Sequence, residues 1–244
     1  MLIEVYIGKI PEKIEPESLR ELLRHVSFEK KQKIARLIKQ DDVYRTLLAD
    51  ILIRSIICRK LQLKNSEIDF SNNLYGKPHL CNATGFQFNV SHSGEWVACA
   101  VDKNRIGVDI EKIEPIDSIS ISESFFSSKE YNDLLDKTGN ERLTYFYELW
   151  TMKESYIKAV GKGLAIPLHS VTVKRYRQNY MEIEEVSSHI QYYCKQYYVD
   201  NAHKLSVCSE SNDFSGKITF INFSKLIIKF IEIARLSGGY DESY

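Results

Sequence analysis

A β-strand that is apolar except for two carboxylates on one face has to find a partner for them, and Gly107-Val-Asp-Ile-Glu111 is such a strand. Side chains alternate along a strand, so Asp109 and Glu111 point one way while Val108 and Ile110 point the other. Further on, Trp150-Thr-Met-Lys-Glu-Ser-Tyr-Ile-Lys158 has helical character, and Trp150, Glu154 and Lys158 recur every fourth residue on one face. If strand and helix meet, three carboxylates converge with a lysine beside them. Oxygen ligands gathered in this way suit a hard divalent cation, and the lysine points to phosphate held by that cation. Each piece alone has a plain explanation. An Asp-x-Glu pair is commonly a solvated strand face, and Glu154 with Lys158 is a stock helix-surface pair of ~0.3–0.5 kcal/mol. Buried together they demand more, because a buried charge must be paired or metal-bound.

The 244 residues suit one large domain or two small ones with a real core. After a first strand at Met1–Ile7, residues 17–39 read as helix-rich and charged, and Asp41–Leu63 as the strongest helix, its apolar face broken by spaced polar groups. Asn72–Pro78 is a turn-rich loop, Phe86–Val90 a strand, Ser91-His-Ser-Gly94 a break, and Trp96–Asp102 a further strand. Beyond the metal strand, Glu123–Leu135 and Glu141–Val160 read as helices, the second ended by Gly161-Lys-Gly163. Tyrosine-rich and β-branched runs from Val171 to Cys208 predict antiparallel strands. Ile218–Phe223 is a last strand, Lys225–Leu236 an apolar-basic helix, and Ser237–Tyr244 a loose tail. Both halves run strand, helices, long helix, antiparallel strands. That pattern predicts an α+β fold of two similar lobes, residues 1–104 and 105–226, with 227–244 as an extension and a ligand cleft between the lobes.

Three further clusters bear on chemistry. Ser91-His92-Ser93-Gly94 in a turn offers hydroxyls, an imidazole and backbone N–H groups to an anion, whereas no Asp or Cys partner pattern supports a nucleophile triad around Ser91. Lys30, Lys31, Lys33, Arg36 and Lys39 lie along one helix; such a run is a solvated face unless it grips a phosphate. Lys77 is placed at the surface by its loop. The formal net charge is zero and no basic-aromatic groove pattern is present, which leaves nucleic-acid binding without support. Five cysteines, an odd number without a C-x-x-C pair, read as free thiols of a reducing compartment. Neither a signal peptide nor a membrane span is evident, so the expected location is the cytoplasm, and a chain holding both lobes is expected to be a monomer.

These residues together resemble the Sfp-type 4′-phosphopantetheinyl transferases. The likeness runs from the first strand to about Ile227. It is carried by Gly107–Glu111 and by Trp150–Lys158 with its Gly-Lys-Gly163 sequel. Phe88-Asn-Val-Ser-His-Ser-Gly94, Tyr75-Gly-Lys-Pro78, Asp41–Asp50 with its Arg-Thr-Leu-Leu, and Phe125-Phe-Ser-Ser-Lys-Glu130 support it in the same order. The resemblance implies two α+β lobes with coenzyme A between them. The implied reaction moves the phosphopantetheine arm from coenzyme A to a serine of an acyl or peptidyl carrier protein, releasing 3′,5′-ADP. It implies that Asp109, Glu111 and Glu154 hold Mg²⁺ (Mn²⁺ as a substitute) on the pyrophosphate. It also implies that Lys30, Lys33, Arg45, Thr46, Lys77, Ser91 and His92 line the nucleotide, and that Lys158 contacts the phosphate under attack. Glu130 matches an acidic position near the metal. Glu154 is the first candidate for the base that deprotonates the carrier serine and Glu130 the second. Residues 115–145, with Phe125 and Phe126 as apolar candidates, would help receive the carrier. The segment Leu226–Tyr244 departs from the family by running past its usual end. Two other readings use the same residues: a Mg²⁺-dependent nucleotide hydrolase, and a non-catalytic carrier- or coenzyme A-binding relative.

Overall fold

The computed structural model describes residues 2–177, 180–185 and 190–236. Each lobe is built on the same plan. In the first, strand β1 (Ile3–Lys9) is followed by two short helices, α1 (Pro16–Arg24) and α2 (Phe28–Ala35), and the 22-residue helix α3 (Gln40–Leu61). In the second, β6 (Ile106–Lys112) is followed by α4 (Ser118–Phe125), α5 (Ser128–Leu135) and the 22-residue helix α6 (Gly139–Val160). Between the two halves lie a short hairpin, β2 (Phe70–Asn72) with β3 (Pro78–Leu80), and the antiparallel pair β4 (Gln87–Ser93) and β5 (Trp96–Asp102).

The charged run at residues 17–39 forms two helices, and of the basic cluster expected along one helix only Lys30, Lys31 and Lys33 lie on α2, Arg36 capping its end and Lys39 preceding α3. Ser27 interrupts the run, capping α2 by accepting a hydrogen bond from Lys30 N. Each long helix ends in a left-handed residue, Gln62 (φ 55°) for α3 and Gly161 (φ 77°) for α6. The second lobe continues through β7 (Val171–Arg177), β8 (Tyr180–Glu185), β9 (Tyr192–Asp200) and β10 (His203–Ser209), giving a five-stranded sheet of order β6-β10-β9-β8-β7.

The domain boundary expected from sequence needs a correction. The last strand, β11 (Phe214–Asn222), does not stay with the second lobe. It returns to pair in parallel with β1, completing a first-lobe sheet of order β11-β1-β5-β4. The helix that follows, α7 (Phe223–Leu236), lays Phe223, Ile227, Phe230 and Ala234 into the core beneath α3, so the run expected as an extension belongs to the first lobe. The tail expected at Ser237–Tyr244 lies outside the described residues.

The lobes share a core as well as a cleft. One face of β1 (Ile3, Val5, Ile7) and of β5 (Ala98, Ala100) packs with Ile106, Val108 and Ile110 of β6 and with Leu205 and Val207 of β10. This commits the apolar face of β6 inward and leaves Gly107, Asp109 and Glu111 on the other. Among the described residues no helix is long and apolar enough to cross a membrane.

Candidate active site

Gly107 explains how α6 reaches the carboxylate face of β6. A Cβ at this position would lie 2.0 Å from the Ser155 carbonyl oxygen and 2.4 Å from Ala159 N, so only glycine lets the helix backbone settle onto the strand. Glu154 and Lys158, which flank that contact on α6, are thereby brought beside Asp109. Lys158 Nζ lies 2.5 Å from Asp109 Oδ1, and Ser91 Oγ donates to the same oxygen at 3.0 Å.

The second wall comes from β4, along a seam of side-chain hydrogen bonds. Asn89 Oδ1 accepts from Val108 N at 2.9 Å, Ser91 Oγ from Ile110 N at 3.4 Å, and Ser93 Oγ from Lys112 N at 3.1 Å. Alternate residues of one strand thus dock on alternate backbone N–H groups of the other and join the two sheets across the lobes. Strand β4 therefore runs through Ser93, where the sequence suggested a break after Val90. The turn-shaped anion nest expected at Ser91–Gly94 gives way to an extended strand whose serines orient the carboxylates: Ser93 Oγ donates to Glu111 Oε2 at 2.8 Å.

The electrostatics are those of negative charges short of a counter-charge. Burial, and then the Asp109 charge beside it, pushes the Glu111 carboxyl up to about 7. Glu154 is raised for the same two reasons, against the opposing pull of Lys158. Burial raises Asp109 in spite of Lys158 and Ser91. Lys158 is driven down by burial but further up by Asp109, Glu154 and Glu111, and it ends above its ordinary value. Asp109 is 2% exposed, and its Oδ2 has no hydrogen-bond partner among the described residues. An orphaned buried carboxylate oxygen and two raised carboxyls in its field are the donor chemistry a small hard dication takes, while one oxygen from each of the three does not fall within 4.8 Å of the other two, so binding would draw them together.

Other expected residues gather on the cation-rich side. His92, exposed at the surface but partly desolvated by the protein around it, is lowered by that desolvation and then by the charges of Arg45, Lys158 and Lys33, which places all three within electrostatic reach of one imidazole. Arg45 is held by Asp42 and the Gly94 carbonyl. Lys30 and Lys33 line a hollow of about 320 Å³ with Asn72, Gly76 and Val90, and Lys30 Nζ rests 3.2 Å from Asp50. On the far side of Glu111 a second hollow of about 510 Å³ is bordered by Arg45, Gly94, Lys112 and Tyr147. Thr46 is buried in α3, and no hydrogen bond among the described residues ties it to the cleft.

Two expected residues do something else. The Lys77 side chain does not sit at the surface. Its amine donates to the carbonyls of Ile106 and Ala159, each at 3.0 Å, and burial lowers it to about 8. It ties the loop of the first lobe to β6 and α6, while the loop backbone at Gly76 still borders the hollow. Glu130 is 3% exposed and all its capacity is used. It closes the capping box of α5 with Ser127, accepts from Val173 N at 2.9 Å, and pairs with the buried Lys153 amine at 2.7 Å. These bonds hold α5, α6 and β7 together, and they withdraw Glu130 from the role of base. Sequence reasoning took Ser93 for part of an anion nest and gave Asn89 no role of its own. Their signal was present in the alternation Asn89-x-Ser91-x-Ser93 once that run is read as a strand.

Comparison with known proteins covers nearly the whole of this architecture. The family model described as 4′-phosphopantetheinyl transferase superfamily matches residues 105–208, and one described as 4′-phosphopantetheinyl transferase, N-terminal, matches residues 13–104. The chain is 46% identical to the 4′-phosphopantetheinyl transferase Sfp of Bacillus subtilis (strain 168), over 87% of this chain and 96% of that one. It is 44% identical to the 4′-phosphopantetheinyl transferase ffp of Bacillus subtilis, over 86% and 94%. It is 42% identical to the 4′-phosphopantetheinyl transferase gsp of Aneurinibacillus migulanus, over 74% and 78%.

Proposed function

The chain belongs to the 4′-phosphopantetheinyl transferase superfamily, and from that premise we propose how its cleft moves the phosphopantetheine arm of coenzyme A onto a serine hydroxyl of an acyl or peptidyl carrier protein. What supports the site assignment is the glycine-permitted contact of α6 with β6, together with the Lys158–Asp109 pair and the Asp109 charge felt by Glu154 and Glu111.

Asp109, Glu111 and Glu154 are the residues that would hold Mg²⁺. When bound, the ion would neutralise pyrophosphate charge and stabilise the departing 3′,5′-ADP. The chain's own groups do the rest. The carrier serine oxygen attacks the phosphorus bearing the pantetheine arm. The bond from that phosphorus to the bridging oxygen breaks, and 3′,5′-ADP leaves with the electron pair. Glu154 takes the serine proton. Asp109 is pinned by Ser91 and Lys158, and Glu111 by Ser93, whereas among the described residues Glu154 makes no hydrogen bond. Burial also holds its carboxyl above the ordinary range, nearer the value a base needs at neutral pH. Lys158, a permanent cation at the end of this group, faces the phosphate oxygens as charge develops on them. Lys30 and Lys33 bind the nucleotide phosphates from the hollow they line, and Arg45 and His92, in one another's electrostatic field, add to the nucleotide side.

The carrier arrives over α4 and α5. Of the two expected apolar candidates, Phe126 is core, 3% exposed and stacked on Phe146. Phe125 stays at the surface, 38% exposed and edge-on to Trp150. Phe125 is therefore the contact we assign to the carrier.

The test is mass spectrometry of apo carrier proteins incubated with coenzyme A, Mg²⁺ and the enzyme. The expected result is a gain of one phosphopantetheine per carrier, largely lost in Glu154→Gln. Cleavage of coenzyme A with no carrier present would instead mark a hydrolase, and near-normal transfer by Glu154→Gln would exclude it as both base and ligand.

A further inference from the structure

The β4–β5 turn meets the β9–β10 turn at the seam between the lobes, and His203 lies between them. His203 is 2% exposed, and its Nδ1 is 2.9 and 3.2 Å from the two oxygens of Asp200. That carboxylate is itself fixed, accepting from Ala202 N at 2.8 Å and from Trp96 Nε1 at 3.0 Å. With Nδ1 directed at Asp200, Nε2 is the ring nitrogen left to face Glu95 and to serve as a ligand atom once it carries no proton. Nε2 is buried without a hydrogen-bond partner among the described residues. It faces Glu95 Oε2 at 3.6 Å, too far for a hydrogen bond. The other Glu95 oxygen is occupied, 3.3 Å from Lys9 Nζ. One ligand atom from each of Glu95, Asp200 and His203 falls within 4.8 Å of the other two. Gly94 has a φ of +55°, and a Cβ there would stand 2.6 Å from Nε2, so glycine keeps the space beside the nitrogen open.

We propose that His203 Nε2 and Glu95 form a second, interlobe metal site for a borderline transition-metal ion of the Zn²⁺ class, with Asp200 orienting the imidazole from behind. Two ligands on one tetrahedral zinc, each bonded at ~2.0–2.1 Å, stand ~3.3 Å apart, so 3.6 Å needs only a small side-chain adjustment. A carboxylate behind the distal ring nitrogen is the usual support of a metal-binding histidine. Two carboxylates, Glu95 and Asp200, face the imidazole with the Lys9 ammonium on one of them, and the nearby Lys112 amine is turned to Glu114 at 3.4 Å. Glu95 is half-buried, which leaves a solvent side for entry and for the waters that complete the shell. The nitrogen ligand separates this site from the all-oxygen trio of Asp109, Glu111 and Glu154, which suits Mg²⁺. Because Glu95 comes from the first lobe and His203 from the second, the ion would staple the lobes beside the cleft. The proposal stands independently of whether the carboxylate trio holds a cation.

The test is calorimetric titration of the full chain with ZnCl₂ in excess MgCl₂, backed by visible absorption with Co²⁺ as the probe. The expected result is one Zn²⁺ per chain, retained in Glu154→Gln, lost in Glu95→Gln and His203→Gln, and weakened ~10–100-fold in Asp200→Asn. Should His203→Gln fail to fold, Glu95→Gln at its half-exposed position carries the test. Equal Zn²⁺ binding by wild type and Glu95→Gln overturns the assignment. So does absence of a Mg²⁺-resistant site in the wild type, or loss of Zn²⁺ binding through Glu154→Gln.

Discussion

Gly107→Ala is the perturbation that asks most of this architecture. The added methyl would sit 2.0 Å from Ser155 O and 2.4 Å from Ala159 N, and both obstacles are helix backbone that cannot rotate aside. Ordinary contact begins near 3.4 Å, so α6 must lift from β6 by roughly 1 Å or more. Overpacking of a filled interface costs ~1–3 kcal/mol. For a domain of this length that lowers Tm by roughly 2–4 °C per kcal/mol, hence about 4–12 °C for a clash costing ~2–3 kcal/mol. The effect on turnover is larger in proportion. Glu154 and Lys158 are carried by the displaced helix while Asp109 and Glu111 stay on the strand, and ~1 Å of misplacement among groups that act together costs ~10²-fold. The assay is paired: thermal unfolding of the variant, and its kcat for carrier modification measured well below its Tm. A variant that keeps its Tm within about 1 °C and its kcat within about twofold would refute the claim that this glycine sets the site.

Glu130→Gln breaks a buried pair and leaves the Lys153 amine, still hydrogen-bonded to the Leu168 and Val171 carbonyls, without its counter-charge, which costs up to ~3–5 kcal/mol; the expected outcome is a fall in Tm with kcat of the folded fraction nearly intact, and a selective loss of kcat at unchanged Tm would restore Glu130 as a catalytic acid or base. Lys77→Met leaves the Ile106 and Ala159 carbonyls without their donor, at ~1–3 kcal/mol for each; unfolding curves should shift while the coenzyme A KM moves little, and a KM rise without destabilisation would speak for direct ligand contact. Lys30→Ala combined with Lys33→Ala should raise the coenzyme A KM far more than it lowers kcat, as expected of uniform binding, and an unchanged KM counts against the hollow they line. The Glu111 carboxyl, at about 7 in the folded chain against an ordinary value of 4.5, holds a proton between those pH values that the unfolded chain has released. In EDTA this group therefore subtracts stability as pH rises from about 4.5 through 7, and a cation that pairs with the ionised form opposes the loss. The Tm gained on adding Mg²⁺ should accordingly be larger near pH 8 than near pH 5.5, and a gain independent of pH would argue against Glu111 as a ligand.

What the sequence showed plainly were features whose cause is local. The long helices follow from the periodic burial of Leu47, Leu48, Ile51 and Leu52 in α3, and the half-repeat from strand and helix patterns in the same order twice. Asp109 and Glu111 could be placed on one face because strand alternation allows nothing else. What stayed hidden depends on partners distant along the chain. Nothing local to Phe214–Asn222 says that it pairs in parallel with β1, because sheet order is settled by which edge is left open. Lys77 looked exposed because Asn, Gly and Pro mark its loop, yet its long side chain reaches back between the lobes to two carbonyls 29 and 82 residues away. Glu130 lies in the run Phe125–Glu130 that helped carry the family resemblance, but only the fold reveals that Lys153 is buried against it. The serines of β4 were misread because Ser-His-Ser-Gly has turn composition, while the open N–H groups of β6 hold the strand extended to Ser93.

Anomalous diffraction from crystals grown with coenzyme A and Mn²⁺ tests the central claim most directly. A manganese peak bonded to Asp109, Glu111 and Glu154 and to the pyrophosphate, with Lys158 on the same phosphate, is the predicted outcome. A peak elsewhere, or coenzyme A seated with its pyrophosphate out of reach of those three carboxylates, would contradict it.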